Sequence, residues 1–67
     1  MKICTTIHGG KRTIVTLKDG STVMDLMVKL DLKPDLYLAS MQGKAVPTDI
    51  ALKDGDKVLL IGVVSGG

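Results

Sequence analysis

The N-terminal third of the chain alternates between apolar and polar residues. In "MKICTTI" the odd-numbered positions share one face and the even-numbered positions share the other, which predicts a half-buried β-strand. "HGGK" follows, and Gly9-Gly10 predicts a two-residue hairpin turn because both glycines can take positive φ. The next stretch, "RTIVTL", is rich in β-branched residues and predicts the returning strand.

After the break "KDGS" the period of the pattern becomes helical. The apolar residues of "TVMDLMVKL" recur at i, i+3, i+4 and i+7: Val23, Leu26, Met27 and Leu30. This spacing predicts an amphipathic helix with Thr22 as its N-cap, and with Asp25 placed to accept hydrogen bonds from free backbone N–H groups. We expect about ten helical residues, ending near Asp31 because Pro34 follows.

The second half of the chain predicts two short strands, a long connection and a final apolar strand. "LYLASMQ" predicts the third strand, "QGKAVP" a turn into a brief fourth, and "TDIALKDGD" a connection with a tight Asp-Gly turn. "KVLLIGVV" is apolar on both faces, which is typical of a central strand. We therefore predict an α+β fold, a mixed sheet of four to five strands with one helix across one face. The first and last strands lie in the middle of that sheet.

The final strand also predicts an exposed apolar surface. One row of its apolar residues is Val58, Leu60 and Val64, and the other is Leu59, Ile61 and Val63. The helix can cover only one row, and Lys57 belongs to the second, so we assign the second row to the open face. With Leu38 from the third strand this row forms the open-face patch (Leu38, Leu59, Ile61 and Val63), and Cys4 is a further candidate. The alternatives are inverted parity or a second protomer that covers the patch.

Length and composition argue against several classes of function. The chain has 67 residues, which allows one domain, and a formal charge of +2 with basic residues interleaved among aspartates. Nucleic-acid binding favours clustered cations with stacking aromatics, whereas Tyr37 is the only aromatic residue. The longest apolar run, "VLLIGVV", is too short to cross a membrane, and no signal-peptide pattern opens the chain. We expect neither nucleic acid nor membrane as a partner, and a cytoplasmic location.

The sequence does not predict a catalytic or metal site. Cys4 is the only cysteine and His8 the only histidine, so neither a disulfide framework nor a zinc-ligand cluster can form. Four residues apart on one strand, they are separated by about 13 Å, far beyond hydrogen-bond reach. We expect that this chain is not an enzyme.

The order of these elements, combined with four short sequences, resembles the β-grasp sulfur-carrier family of ThiS, MoaD and their ubiquitin-like relatives. The matching pieces are "TVMDLMVKL", "QGKAVP", "DGD" before the last strand and the terminal Gly66-Gly67. The resemblance spans essentially the whole chain. It implies a β-grasp domain over residues 1–64 and a flexible diglycine tail over residues 65–67.

The resemblance also implies a chemistry for the tail. An E1-like adenylyltransferase, using ATP with Mg, would adenylate the Gly67 carboxylate, and the open-face patch would dock that enzyme. A sulfur donor of the cysteine desulfurase or rhodanese type would convert the adenylate into a thiocarboxylate for thiazole synthase or another acceptor. Ser65 and Gly66 would thread the tail into a narrow site, where a Cβ obstructs. The chain itself would bind no cofactor.

Within the family, the sequence favours a thiamine-thiazole carrier over a molybdopterin carrier because "IGVVSGG" has no proline before the diglycine. Gln42, Thr48 and the pair Leu59-Leu60 depart from the usual thiamine-carrier pattern, which leaves the pathway open. One alternative is a ubiquitin-like protein modifier or a tRNA-thiolation carrier that uses the same activation step. Another is a β-grasp interaction domain with an inert tail.

Overall fold

The computed structural model describes residues 1–63, in which five strands form one mixed sheet with a helix across it. The elements are β1 (Lys2–Ile7), β2 (Arg12–Thr16), α1 (Val23–Lys29), a short 3₁₀ helix (Pro34–Leu36), β3 (Tyr37–Met41), β4 (Lys44–Val46) and β5 (Lys57–Gly62). The strand order is β2-β1-β5-β3-β4, with β5 parallel to β1 and antiparallel to β3. The predicted fold class and the central position of the last strand are confirmed.

The core lies between α1 and one face of the sheet. Its buried apolar residues are Ile3, Val15, Leu17, Val23, Leu26, Met27, Ala39, Leu52, Val58 and Leu60. Three of the four residues in the predicted helical stripe are buried, and Leu30 packs against the core from its edge. The sequence periods therefore identified the buried side of both the helix and the central strand.

The start of α1 has the predicted cap and an additional anchor. Thr22 Oγ1 accepts from the N–H of Asp25 at 3.3 Å, and the Asp25 carboxylate accepts from the N–H of Thr22 at 2.9 Å. The N–H groups of Val23 and Met24 donate to the carbonyls of Ile50 and Thr48, respectively. Since helix N-termini leave four backbone N–H groups without intrahelical partners, these bonds fasten the β4–β5 connection to the helix.

The helix is shorter than predicted. It has seven residues and ends at Lys29, not near Asp31. Asp31 takes a left-handed conformation with φ of 59°, and its N–H donates to the carbonyl of Val28. The N–H of Leu32 donates to the carbonyl of Met27 at 2.8 Å. These two bonds form a Schellman motif, which ends the helix before Pro34 can.

The predicted two-residue turn at Gly9-Gly10 is wrong. Thr6 pairs with Arg12, so a longer loop joins β1 to β2, and of the two glycines only Gly9 takes positive φ, at 81°. The N–H of Gly10 donates to the Ile7 carbonyl, and a Cβ on Gly10 would lie 3.1 Å from that oxygen. A side chain at Gly10 would thus be in tight contact with this carbonyl, so close approach and not positive φ favours glycine there.

The two-residue hairpin turn lies instead between β3 and β4. Met41 pairs with Lys44 across it, and both intervening residues have positive φ, 54° for Gln42 and 78° for Gly43. Two consecutive left-handed residues define a type I′ turn, whose twist matches that of the flanking strands. "QGKAVP" thus forms the turn and short strand that the sequence predicted.

The DGD turn fixes the start of β5 beside β1. Asp54 Oδ1 accepts from the N–H of Lys2 at 2.6 Å, and Asp56 Oδ2 accepts from the N–H of Lys53 at 2.8 Å. Gly55, with φ of 87°, donates its N–H to the Lys2 carbonyl. The two carboxylates therefore hold backbone in place. The strand that follows ends at Gly62, earlier than the predicted Val64.

Candidate functional site

The predicted patch lies on the face of the sheet opposite α1. Val58 and Leu60 are buried in the core, whereas Leu59 and Ile61 point to the other face and are half-buried. Leu38 stands directly opposite Ile61 across β3 and β5 and is 53% exposed, and Val63 is 36% exposed. The structure thus brings the four residues of the open-face patch together, on the face that Lys57 indicated.

A further exposed apolar residue, missed in the sequence, is bonded through its backbone to Val63 of this patch. The N–H of Val63 donates to the Leu36 carbonyl at 2.8 Å, which continues the pairing of β3 and β5 by one residue. Leu36 is 42% exposed, at the end of the sheet where Tyr37 pairs with Gly62. Because Leu36 ends the 3₁₀ helix and precedes β3, the alternation of the strand does not identify it in the sequence. The bond also fixes the backbone at the last described residue.

Beyond Leu59 the open face is mostly polar, although Ile14 on β2 lies opposite Cys4 and is exposed. A depression of about 320 Å³ lies over β1 and β5 and extends to both neighbouring strands. It is lined by Cys4, Thr6, Arg12, Ser40, Gln42, Gly43, Lys57, Val58 and Leu59. The register places Cys4 opposite Lys57 and Thr6 opposite both Leu59 and Arg12. The apolar patch is therefore bordered by cations on the side of β1 and β2.

The structure does not bring Cys4 and His8 into a reactive pair. Cys4 is half-buried in the middle of β1, and His8 is exposed beyond the end of that strand. Among residues 1–63, no group of three or more His, Cys, Asp or Glu side chains is arranged to hold a metal ion. In the same part of the chain, no helix has the length and apolarity needed to cross a membrane.

The predicted attachment and threading residues, Ser65, Gly66 and Gly67, lie outside the described residues, as does Val64. The roles assigned to them remain predictions. What the structure describes is the base from which they continue. The central strand β5 ends at Gly62, and the N–H of the last described residue, Val63, donates to the Leu36 carbonyl.

Comparisons with known proteins agree with this architecture. The model of the ThiS family matches residues 4–67. A search of curated protein sequences found no match. The ubiquitin of Caldiarchaeum subterraneum is similar in structure, with a TM-score of 0.77, 27% identity, and coverage of 100% of this chain and 98% of that one. SAMP1 from Haloferax volcanii has a TM-score of 0.75 at 20% identity, with both chains covered completely.

The two solved structures are ubiquitin-like β-grasp proteins, and the five-stranded mixed sheet with one helix in residues 1–63 has the same fold. The match to the family model spans nearly the whole chain. The chain therefore belongs to the ThiS family, among the small β-grasp proteins that act as sulfur carriers or ubiquitin-like modifiers.

Proposed function

We propose that this protein is a sulfur carrier whose C-terminal Gly67 carboxylate is activated by a partner and converted to a thiocarboxylate. Two observations support the proposal. The ThiS family match extends through Gly66 and Gly67. The open-face patch adjoins the end of β5, so a partner that covers the patch also meets the base of the tail. The second observation carries the proposal, since docking through the patch would place the partner beside the base of the tail.

The chemistry requires activation because a carboxylate is a poor electrophile. An oxygen of Gly67 attacks the α-phosphorus of ATP and pyrophosphate leaves, which gives an acyl adenylate. A thiol reduces the persulfide of the donor, forming a disulfide with it and releasing hydrosulfide. The hydrosulfide then forms a C–S bond with the Gly67 carbonyl carbon as the C–O bond to AMP breaks, and a proton is released. ATP and its Mg belong to the activating enzyme, and this chain is a substrate and not a catalyst. Because the product is an anionic sulfur nucleophile, it can attack an acceptor substrate.

The role of the domain is to position the tail. Leu38 and Ile61 pair across β3 and β5 in the middle of the patch, and the bond from Val63 to Leu36 fixes the backbone at Val63. From that point to Gly67 the chain reaches about 17 Å when fully extended. Glycine at the end leaves room for the attacking groups in a narrow active site. Docking through the patch would therefore bring the Gly67 carboxylate to the ATP site.

Thiamine-thiazole synthesis is the pathway that we favour. The family model is that of ThiS, and the approach "IGVVSGG" lacks the proline that is typical of molybdopterin carriers. The acceptor would then be thiazole synthase, and the sulfur donor a cysteine desulfurase or rhodanese. We expect the reaction in the cytoplasm, because a reducing compartment preserves the thiocarboxylate against oxidation.

A ubiquitin-like modifier is the second candidate, favoured by the similarity to the Caldiarchaeum subterraneum ubiquitin. In this case the activated Gly67 carbonyl is attacked by a lysine amine of a target protein instead of by sulfur. The two candidates share the adenylation step and differ in the nucleophile. After protease digestion, a branched Gly-Gly remnant on target lysines identifies the modifier, and sulfur on Gly67 identifies the carrier.

Exchange of radiolabelled pyrophosphate into ATP tests the shared step. The activating enzyme from the same cells is mixed with ATP and either the full chain or a chain lacking Gly67. We expect exchange with the full chain and none with the truncated chain, whose described domain is unchanged. Equal exchange with both chains would refute activation at Gly67.

A further inference from the structure

The strands of this protein carry charge of one sign. The seven acidic residues of the chain are all aspartates, and each lies in α1, in the 3₁₀ helix or in a connection. The charged residues within the described strands are Lys2, Arg12, Lys44 and Lys57. The strands therefore hold four cations and no carboxylate, whereas the helices and connections hold charges of both signs.

Two of these cations border the open-face patch. Arg12 and Lys57 line the same depression, which also includes Leu59 of the patch. Lys57 precedes Leu59 by two residues on the same face of β5, and Arg12 lies two strands away on β2. From the strand spacing and rise, their Cα atoms are about 12 Å apart. A partner that covers Leu59 would therefore meet both positive charges.

Nothing in residues 1–63 neutralises this pair. Asp54 and Asp56 are near in sequence to Lys57, but their carboxylates accept backbone N–H groups of Lys2 and Lys53. The ion pair that the structure shows in residues 1–63 joins the N-terminal ammonium to Asp19, away from these side chains. Arg12 and Lys57 are both exposed, so they are available to carboxylates of another protein.

We propose that the open face binds a protein surface of complementary chemistry. The apolar part of that surface contacts the open-face patch, and its carboxylates lie opposite Arg12 and Lys57. The inference rests on the proposed function, since the protein in question is the activating enzyme. A nucleic acid fits less well, because base stacking needs aromatic side chains and the patch is aliphatic. Tyr37 packs against the core on the helix side. Exposed charges at the rim of an interface mainly raise the association rate and make it dependent on salt.

The test compares two variants with the same change in net charge. Arg12→Glu/Lys57→Glu reverses the charges beside the patch, and Lys29→Glu/Lys33→Glu reverses two exposed charges at the end of α1 and in the loop that follows. Association with the activating enzyme is measured by stopped flow at 0.01 M and 1 M salt, where the Debye length is about 30 Å and 3 Å. Circular dichroism confirms that each variant is folded.

We call Arg12→Glu/Lys57→Glu the open-face variant and Lys29→Glu/Lys33→Glu the control variant. At low salt we expect the open-face variant to associate at least about tenfold more slowly than wild type, and the control variant about twofold more slowly. At 1 M salt the three rates should converge because screening removes the long-range attraction. If the open-face variant does not fold, Arg12→Gln/Lys57→Gln, which only removes the two charges, should associate at least about threefold more slowly than wild type at low salt.

Four results would overturn the inference. Equal slowing in both charge-reversal variants would mean that only net charge matters. Unchanged association of the open-face variant, while wild type is adenylated normally, would remove this inference and leave the proposed function intact. If wild type binds single-stranded RNA with a salt dependence that only the open-face variant loses, the cations belong to a nucleic-acid site. Failure of the enzyme to adenylate wild type would refute both proposals.

Discussion

Replacing Ile61 by aspartate should block activation without unfolding the protein. Ile61 lies in the middle of the open-face patch, opposite Leu38, and its side chain points away from the core. A domain of 67 residues has a free energy of unfolding of about 3 to 10 kcal/mol. Aspartate in a strand costs up to about 1 kcal/mol of this, and losing the buried half of the Ile61 side chain costs about 1 kcal/mol more. The variant should therefore remain folded.

The expected loss of docking follows from the same geometry. Ile61 is half-buried in the free protein, so covering the rest of its side chain contributes about 1 kcal/mol to binding. Placing an unpaired carboxylate against an apolar surface of the partner costs at least about 2 kcal/mol more. Together these terms reach about 3 kcal/mol, which corresponds to an increase of about 100-fold in the KM for the carrier.

Pyrophosphate exchange at increasing carrier concentration gives this KM, and thermal unfolding followed by circular dichroism gives the stability. Met24→Asp is the matched control. It also replaces a partly exposed apolar residue, but in the first turn of α1, where a carboxylate is favourable. Its KM should equal that of wild type. A folded Ile61→Asp protein whose KM stays within about threefold of the wild-type value would refute the docking role of the patch.

Three further predictions concern stability and are measured by urea unfolding. Thr22→Ala removes the helix cap and should lower the free energy of unfolding by about 1 kcal/mol, whereas Thr22→Ser should keep most of the wild-type stability. An unchanged urea midpoint for the alanine variant would contradict the role of the cap. Gly55→Ala forces a Cβ onto a residue with φ of 87° and should cost about 1 to 2 kcal/mol. Gly62→Ala should cost less than about 0.5 kcal/mol because the added Cβ would lie 3.7 Å from the Tyr37 ring, an ordinary van der Waals distance. A larger loss of stability in Gly62→Ala than in Gly55→Ala would contradict the argument from backbone conformation. Gln42→Asn should raise stability by roughly a few tenths of a kcal/mol because asparagine suits the type I′ turn, and a decrease would contradict this.

The features that the sequence predicted correctly depend on local patterns. The alternation in β5 and the position of Lys57 were enough to identify which row of apolar residues faces outward. The cap at Thr22 followed from one side chain and a carboxylate three residues later. Such features depend on neighbours within one turn or one strand, and these neighbours are visible in the sequence.

The features that the sequence missed depend on backbone conformation or on contacts between distant elements. The helix ends early because Asp31 adopts a left-handed conformation, which aspartate seldom does. Gly9-Gly10 and Gln42-Gly43 both contain turn-forming residues, and strand register decides which becomes the two-residue turn. The proximity of Arg12 to Lys57 exists only because β1 lies between β2 and β5.

Intact mass spectrometry of the protein isolated from its native cells tests the central claim, that this domain carries sulfur on its C-terminal carboxylate. We predict a fraction of chains that is heavier by about 16 Da, as expected when sulfur replaces one oxygen, with the added mass located on Gly67 by fragmentation. An unmodified Gly67 carboxylate both in the cells and after incubation with the activating enzyme, ATP and sulfide would contradict it.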